Sequence, residues 1–173
     1  MKTVRIHAAH DLRLEEQPEE ELGAGQVEIG VRAGGICGSD LHYYHDGGFG
    51  AVRLREPMIL GHEVAGVVIA RAPDVTSPAI GDLVAVNPSH PCGHCDFCQR
   101  GLQNHCRNMR FYGSAMRFPH VQGAFRERLV ADARQCFVLP PATPPAAAAM
   151  AEPFSVALHA VERAGPLIDR RVL

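Results

Sequence analysis

Residues 87–108 read NPSHPCGHCDFCQRGLQNHCRN and place Cys92, Cys95, Cys98 and Cys106 within fifteen residues, with two, two and seven residues between them. Four thiolates held together by so short a chain make a tetrahedral soft-ligand site, which suits zinc or an iron–sulfur cluster. A bacterial ferredoxin run shares the first spacings, but its fourth cysteine comes three residues on and is followed by proline. Here Leu102 stands in that place. A zinc ribbon needs two separated pairs about 15–20 residues apart, which is also a different pattern. The spacing favours zinc, and an electron-transfer iron–sulfur module is the rival reading. Four unligated thiols this dense would invite oxidation. With cysteine at all four positions the site is expected to be closed, clamping a loop and leaving no position for substrate. His94 and His105 lie inside the run and read as spacers.

The 173 residues suffice for one packed domain, or for one domain and the start of another. A formal charge of −2 and a pI of about 6.5 give no general attraction to nucleic acid or anionic lipid, so neither is expected as a partner. No apolar run approaches the roughly 20 residues of a membrane span. The stretch MKTVRIHAAHDLRLEE lacks the apolar core of an export signal. A cytoplasmic location follows as the expectation, and there closely spaced cysteines are more often metal ligands than disulfides.

Short strands punctuated by turn residues fill the first 140 positions. QVEIGVRA (26–33) alternates Val27, Ile29 and Val31 with Glu28, Gly30 and Arg32, as a half-buried strand does. HEVAGVVIARA (62–72), GDLVAVNP (81–88), AFRERLV (124–130) and CFVLP (136–140) are further candidates. Their close spacing predicts a mainly β fold, a compact barrel or sandwich with few helices. Beyond Pro140 the alanine-rich segment predicts two successive helices, with Pro144 and Pro153 in their first turns and a stop at Gly165-Pro166. Phe154, Leu158 and Val161 share one helical face. The final LIDRRVL (167–173) reads as the opening of a strand, and the sequence therefore as a fragment of a longer protein. A Gly-x-Gly-x-x-Gly turn opening a helix is absent, so the main site of any dinucleotide is expected off this chain.

Isolated ligand types lie upstream and downstream of the cysteine run. AGGICGSDLHYYHDGGFG contains Cys37, EPMILGHEVAG contains His62 and Glu63, and MAEPF contains Glu152. Each has an ordinary structural reading: a small buried cysteine, a hydrogen-bonded histidine at a strand end, and a helix-capping glutamate. Taken in order, however, GGICGSDLH, GHEVAG, the C-x2-C-x2-C-x7-C run and AEPFSVALHA resemble the zinc-dependent medium-chain alcohol and polyol dehydrogenases across essentially the whole chain. HYYHDGGFG, NPSHPCGHC and MRFYGSAMRFPHVQGAF are most similar to the L-idonate 5-dehydrogenase branch, with sorbitol and other polyol dehydrogenases next.

The resemblance implies a GroES-like β-barrel catalytic domain over residues 1–165 with a structural zinc lobe at about 88–110. Residues 166–173 would then begin the linker or first strand of a Rossmann domain missing from this chain. It implies two zinc ions, one structural on the four lobe cysteines and one catalytic on Cys37 and His62, with Glu63 or Glu152 completing the shell. It makes Asp40 the carboxylate that orients the histidine ligand, Ser39 and His42 a proton relay through the ribose of NAD or NADP, and Tyr43 a substrate-pocket residue. A sugar acid or polyol is the implied substrate, L-idonate first, and a homo-oligomer is expected of the full-length protein. An aldonate carboxylate would need a cation, for which Arg110 and Arg117 are candidates. The different-class alternative is a zinc-binding module without catalysis, against which stands the lack of a basic stripe or aromatic platform for nucleic acid. Cys136 reads as a buried strand cysteine. His7, His10, His45, His90, His120 and His159 remain without an assigned role.

Overall fold

The computed structural model describes residues 1–166 and 170–171. Its centre is a five-stranded antiparallel sheet. Strands β1 (Lys2–Ala8) and β2 (Asp11–Glu16) form a hairpin ahead of the long β3 (Gln26–Gly35). Helix α1 (Gly38–Asp46) follows, then the short β4 (Gly48–Phe49), β5 (Val52–Arg53) and β6 (Met58–Ile59). Strand β7 (Glu63–Arg71) and β8 (Leu83–Val86) lead to a lobe containing β9 (Ser89–His90), α2 (Asp96–Gln99) and β10 (Arg110–Phe111). The chain returns through β11 (Arg128–Asp132), β12 (Cys136–Val138), α3 (Pro145–Ala149) and α4 (Ala151–Ala164). The central order is β11-β3-β7-β8-β12, and β2-β1-β6 makes a second sheet.

Period-two alternation produced the buried face. Val27 and Ile29 are fully buried and pack with Val64, Val68, Val84, Val86 and Leu129. The first half of β7 is buried on both faces, because α3 lays Ala148 and Ala149 against Ala65 and Leu83 on the far side. Gly66 allows the close approach of β7 to β3: a Cβ there would collide with the Gly30 carbonyl. A second cluster under α1 gathers Ile6, Tyr43, Met58, Leu60 and Ala115.

Strand β11 and helix α3 differ from the sequence expectations, and α4 keeps Pro153 in its first turn as expected. The strand expected over 124–130 begins only at Arg128, because the amides of Ala124 and Phe125 bond across to the carbonyls of Gly61 and Leu60. Pro144 precedes α3 and Pro145 takes its first position. Helix α4 starts at Ala151, so Glu152 and Pro153 both lie in its first turn. Its apolar residues Phe154, Leu158 and Val161 are exposed at 65%, 47% and 53%, so that helical face has no core partner among the described residues. The expected strand opening at 167–173 falls largely outside the described residues. Among those described, no helix is long and apolar enough to cross a membrane.

Candidate active site and metal centres

The β3–β7 register builds the first site. Gly35 pairs with Glu63 across the two strands, so the turn leaving β3 and the turn entering β7 lie side by side. Cys37 stands on the first turn, just ahead of α1, and His62 on the second. Cys37 Sγ, a His62 ring nitrogen and a Glu63 carboxylate oxygen all lie within 4.8 Å of one another. His62 is 5% exposed and Glu63 8%, while Cys37 is half-buried.

Three local features hold this geometry. A Cβ at Gly35 would collide with the Glu63 carboxylate, so glycine leaves the space that carboxylate occupies. Gly61 has a φ of +90° and its missing side chain makes room for the Phe125 ring, which lets the chain turn sharply before His62. The Asp40 carboxylate, 2% exposed, accepts from the Cys37 N–H at 3.0 Å and the Gly61 N–H at 3.1 Å. Asp40 thus ties the two ligand-bearing turns together through their backbones. No hydrogen bond from Asp40 to the His62 ring, the orienting contact expected from the resemblance, is made among the described residues.

The residues fit a metal ion. His62 Nδ1 is buried without a hydrogen-bond partner among the described residues. Buried polar atoms are nearly always satisfied, and leaving one unmade costs about 1–3 kcal/mol. A thiolate, an imidazole and a carboxylate in mutual reach suit zinc with one coordination position open. Glu152 stands outside this trio but near it. Burial pushes its carboxyl above the ordinary carboxylate range, His62 pulls it back down, and Glu63 adds to the rise.

The second centre lies in the lobe closed at its neck by β9 and β10, where Arg110 pairs with His90 and Phe111 with Ser89. Ligand atoms of Cys92, Cys95, Cys98 and Cys106 lie within 4.8 Å of one another. Backbone amides converge on the sulfurs: Cys106 Sγ accepts from Cys92 N–H at 3.2 Å and Asn108 N–H at 3.4 Å. The amides of Cys98 and Arg107 hold the Cys95 thiol well below its usual value, while burial pushes Cys98 up. A cation held by all four sulfurs would take them as thiolates. His94 Nδ1 bonds the Cys92 carbonyl at 2.7 Å, and the His105 ring lies against Phe97. Arg107 grips Asp96 through two bonds of 2.6 and 2.9 Å and lies over Phe97, joining α2 to the chain that leaves the last cysteine.

The alcohol dehydrogenase GroES-like domain matches residues 23–141, a span holding Cys37, His62, Glu63 and all four lobe cysteines. The chain belongs to this family. It is 46% identical over 144 residues to L-idonate 5-dehydrogenase (NAD(P)(+)) of Escherichia coli strain K12, covering 83% of this chain and 41% of that protein. It is 38% identical over 163 residues to sorbitol dehydrogenase of Bacillus subtilis strain 168, covering 94% and 45%. The crystal structure of L-idonate 5-dehydrogenase from E. coli superposes with a TM-score of 0.90 at 40% identity, covering 96% of this chain and 47% of that one. The chain thus spans less than half the length of these relatives.

In this GroES-like domain the remaining candidates fall in different places. Ser39 is half-buried and His42 exposed, three residues apart on one face of α1, with His42 Nδ1 3.5 Å from Asp46. Tyr43 lines neither the cavity beside Arg110 nor the cleft beside Glu152. It is 1% exposed, and its hydroxyl accepts from the Ala115 N–H at 2.9 Å, because the face of α1 it occupies is turned to the core. Arg117 donates to the carbonyls of Arg107 and Met109, at 2.6 and 3.2 Å, and so fastens the exit of the lobe. Arg110 lines a cavity of about 250 Å³ with Tyr112 and Arg126. Its neighbour Phe111 lines a different cleft, of about 550 Å³, which also contains Glu152, because alternate residues of β10 face opposite ways. Neither arginine therefore faces the Glu152 cleft. Phe111 was not singled out in the sequence; its ring lies 5.2 Å from that of His62. Its apolar type directly after Arg110 in a two-residue strand carried no local signal of that contact. Cys136 begins β12 half-buried, and burial pushes its thiol up to about 12, as suits an inert structural cysteine.

Proposed function

We propose that this chain is the metal-binding catalytic half of an NAD(P)-linked dehydrogenase that oxidises a secondary alcohol of a sugar acid or polyol. L-idonate, giving 5-keto-D-gluconate, is the first substrate to test, and sorbitol-type polyols are the second. The observation that carries the reading is the Cys37, His62 and Glu63 trio beside an apolar cleft, with His62 Nδ1 buried and without a hydrogen-bond partner among the described residues. The substrate class rests on the names of the relatives.

Cys37, His62 and Glu63 would hold the catalytic zinc, with Glu152 beside them on the cleft wall. A bound zinc supplies Lewis acidity, which lowers the proton affinity of an oxygen beside it by many units. Ser39 accepts the hydroxyl proton leaving the substrate, and exposed His42 passes it to water. Phe111 and the apolar wall of the cleft exclude water from the reacting carbon. The nicotinamide supplies the hydride acceptor. The lobe cysteines hold structure and take no part in the reaction.

Ser39→Ala, measured in the enzyme carrying its cofactor-binding half, should lower turnover strongly with zinc content unchanged. Turnover equal to the parent's would remove Ser39 from the proton path. Comparing L-idonate with sorbitol on the parent enzyme tests the substrate: a higher kcat/KM for sorbitol would reassign it to the polyols.

A further inference from the structure

We propose a third metal site, for a divalent transition ion, on the surface where the β1–β2 turn meets the C-terminal end of α1, with His10 and His45 as its ligands. The two imidazole rings, both on exposed residues, have centroids 5.5 Å apart at an interplanar angle of 66°. Two imidazoles sharing one tetrahedral ion, at metal–nitrogen bonds of about 2.1 Å, place their centroids about 5 Å apart. The observed separation is close to that, so the two rings stand at about the spacing a common ion needs. Among the described residues, the recorded ring contacts of His10 and His45 are with each other and with Tyr44. Their nitrogens are therefore available.

The backbone presets the pair. His10 lies at φ +61°, in the left-handed region that few residues other than glycine adopt. Its N–H donates to the Tyr44 carbonyl at 2.7 Å, which fixes the hairpin turn against the helix. The two ligands come from elements 35 positions apart in sequence that are already joined, so binding an ion orders little further chain. His45 lies in the last turn of α1, at the helix end whose carbonyls favour a cation. Paired imidazoles, with water in the remaining positions, suit nickel(II) or copper(II). Calcium and magnesium, which want oxygen ligands, are poor occupants. The site is independent of the proposed catalysis, although a bound ion would brace the same helix that starts beside Cys37.

The test is equilibrium dialysis of the zinc-loaded chain against nickel(II) chloride, followed by elemental analysis of zinc and nickel. His10→Asn removes the imidazole with a residue that tolerates the left-handed turn, and His45→Gln removes the other while keeping a helix former. The expected result is one nickel per chain with zinc unchanged in the parent, and none in either variant, each of which retains the parent's zinc. The proposal is overturned by no nickel uptake, by uptake that survives in either variant, or by uptake matched by a loss of zinc.

Discussion

Replacing Tyr43 by phenylalanine removes one oxygen and leaves the Ala115 N–H unpaired inside the core. An unmet buried donor costs about 1–3 kcal/mol, so Tyr43→Phe should lower the urea midpoint while kcat/KM stays at the parent value. A raised KM with unchanged stability would instead place Tyr43 at the substrate. Gly35→Ala works in the opposite direction. The added methyl meets the Glu63 carboxylate, so the chain should fold and keep the lobe's zinc but lose the ion at Cys37 and His62, seen as one zinc fewer per chain. Shortening the partner, in Gly35→Ala with Glu63→Asp, should recover part of that ion. The ligand types themselves were legible: Cys37, His62 and Glu63 announce metal chemistry wherever they meet. The bonds that Asp40 makes were not. One of its partners, Gly61, lies 21 residues away, and only the β3–β7 register brings that amide to it.

Among the elements, β3 could be read from its alternation and β7, β8 and β12 as short apolar runs between turn residues, and all four fall where those signals put them. Residues 124–127 misled because Ala124 and Phe125 look like strand but lace along the Leu60–Gly61 backbone. Helix α1 was not singled out at all; its polar stretch GSDLHYYHD buries only Asp40 and Tyr43, too few positions to show a period. Helix α2 has only four residues and depends on the lobe around it. The Asp96–Arg107 pair is one of its supports, and Arg107 holds the Asp96 carboxyl below its usual value of 3.8. A depressed acid contributes stability above its unfolded value and loses it as pH falls through the lowered one. Asp96→Asn should therefore lower the denaturation midpoint slightly at neutral pH, the pair being exposed. Its difference from the parent should shrink only below about pH 3.8, once Asp96 takes up its proton. A difference that is constant from pH 2 to 7 would show that the charge contributes nothing.

For the molecule as a whole, the proposed function assigns different roles to the two candidate metal sites. The lobe holds four soft ligands of one type behind a two-strand neck, and the β3–β7 junction holds three unlike ligands beside a cleft. Closed sites stabilise and open ones react, so the geometry assigns clamp and chemistry to different ends of β9 and β10. The cysteine spacing made the first legible from one short stretch. The second needed residues from two distant segments, and its recognition in the sequence came from four motifs occurring in order. The measurement that tests this division most directly is zinc content per chain in the parent, in His62→Ala and in Cys92→Ser, by elemental analysis of chelator-free protein. The account predicts two zinc ions in the parent and one in each variant that remains folded. Zinc content in His62→Ala equal to the parent's would contradict it, and iron with sulfide in place of zinc would make the cysteine lobe the working centre.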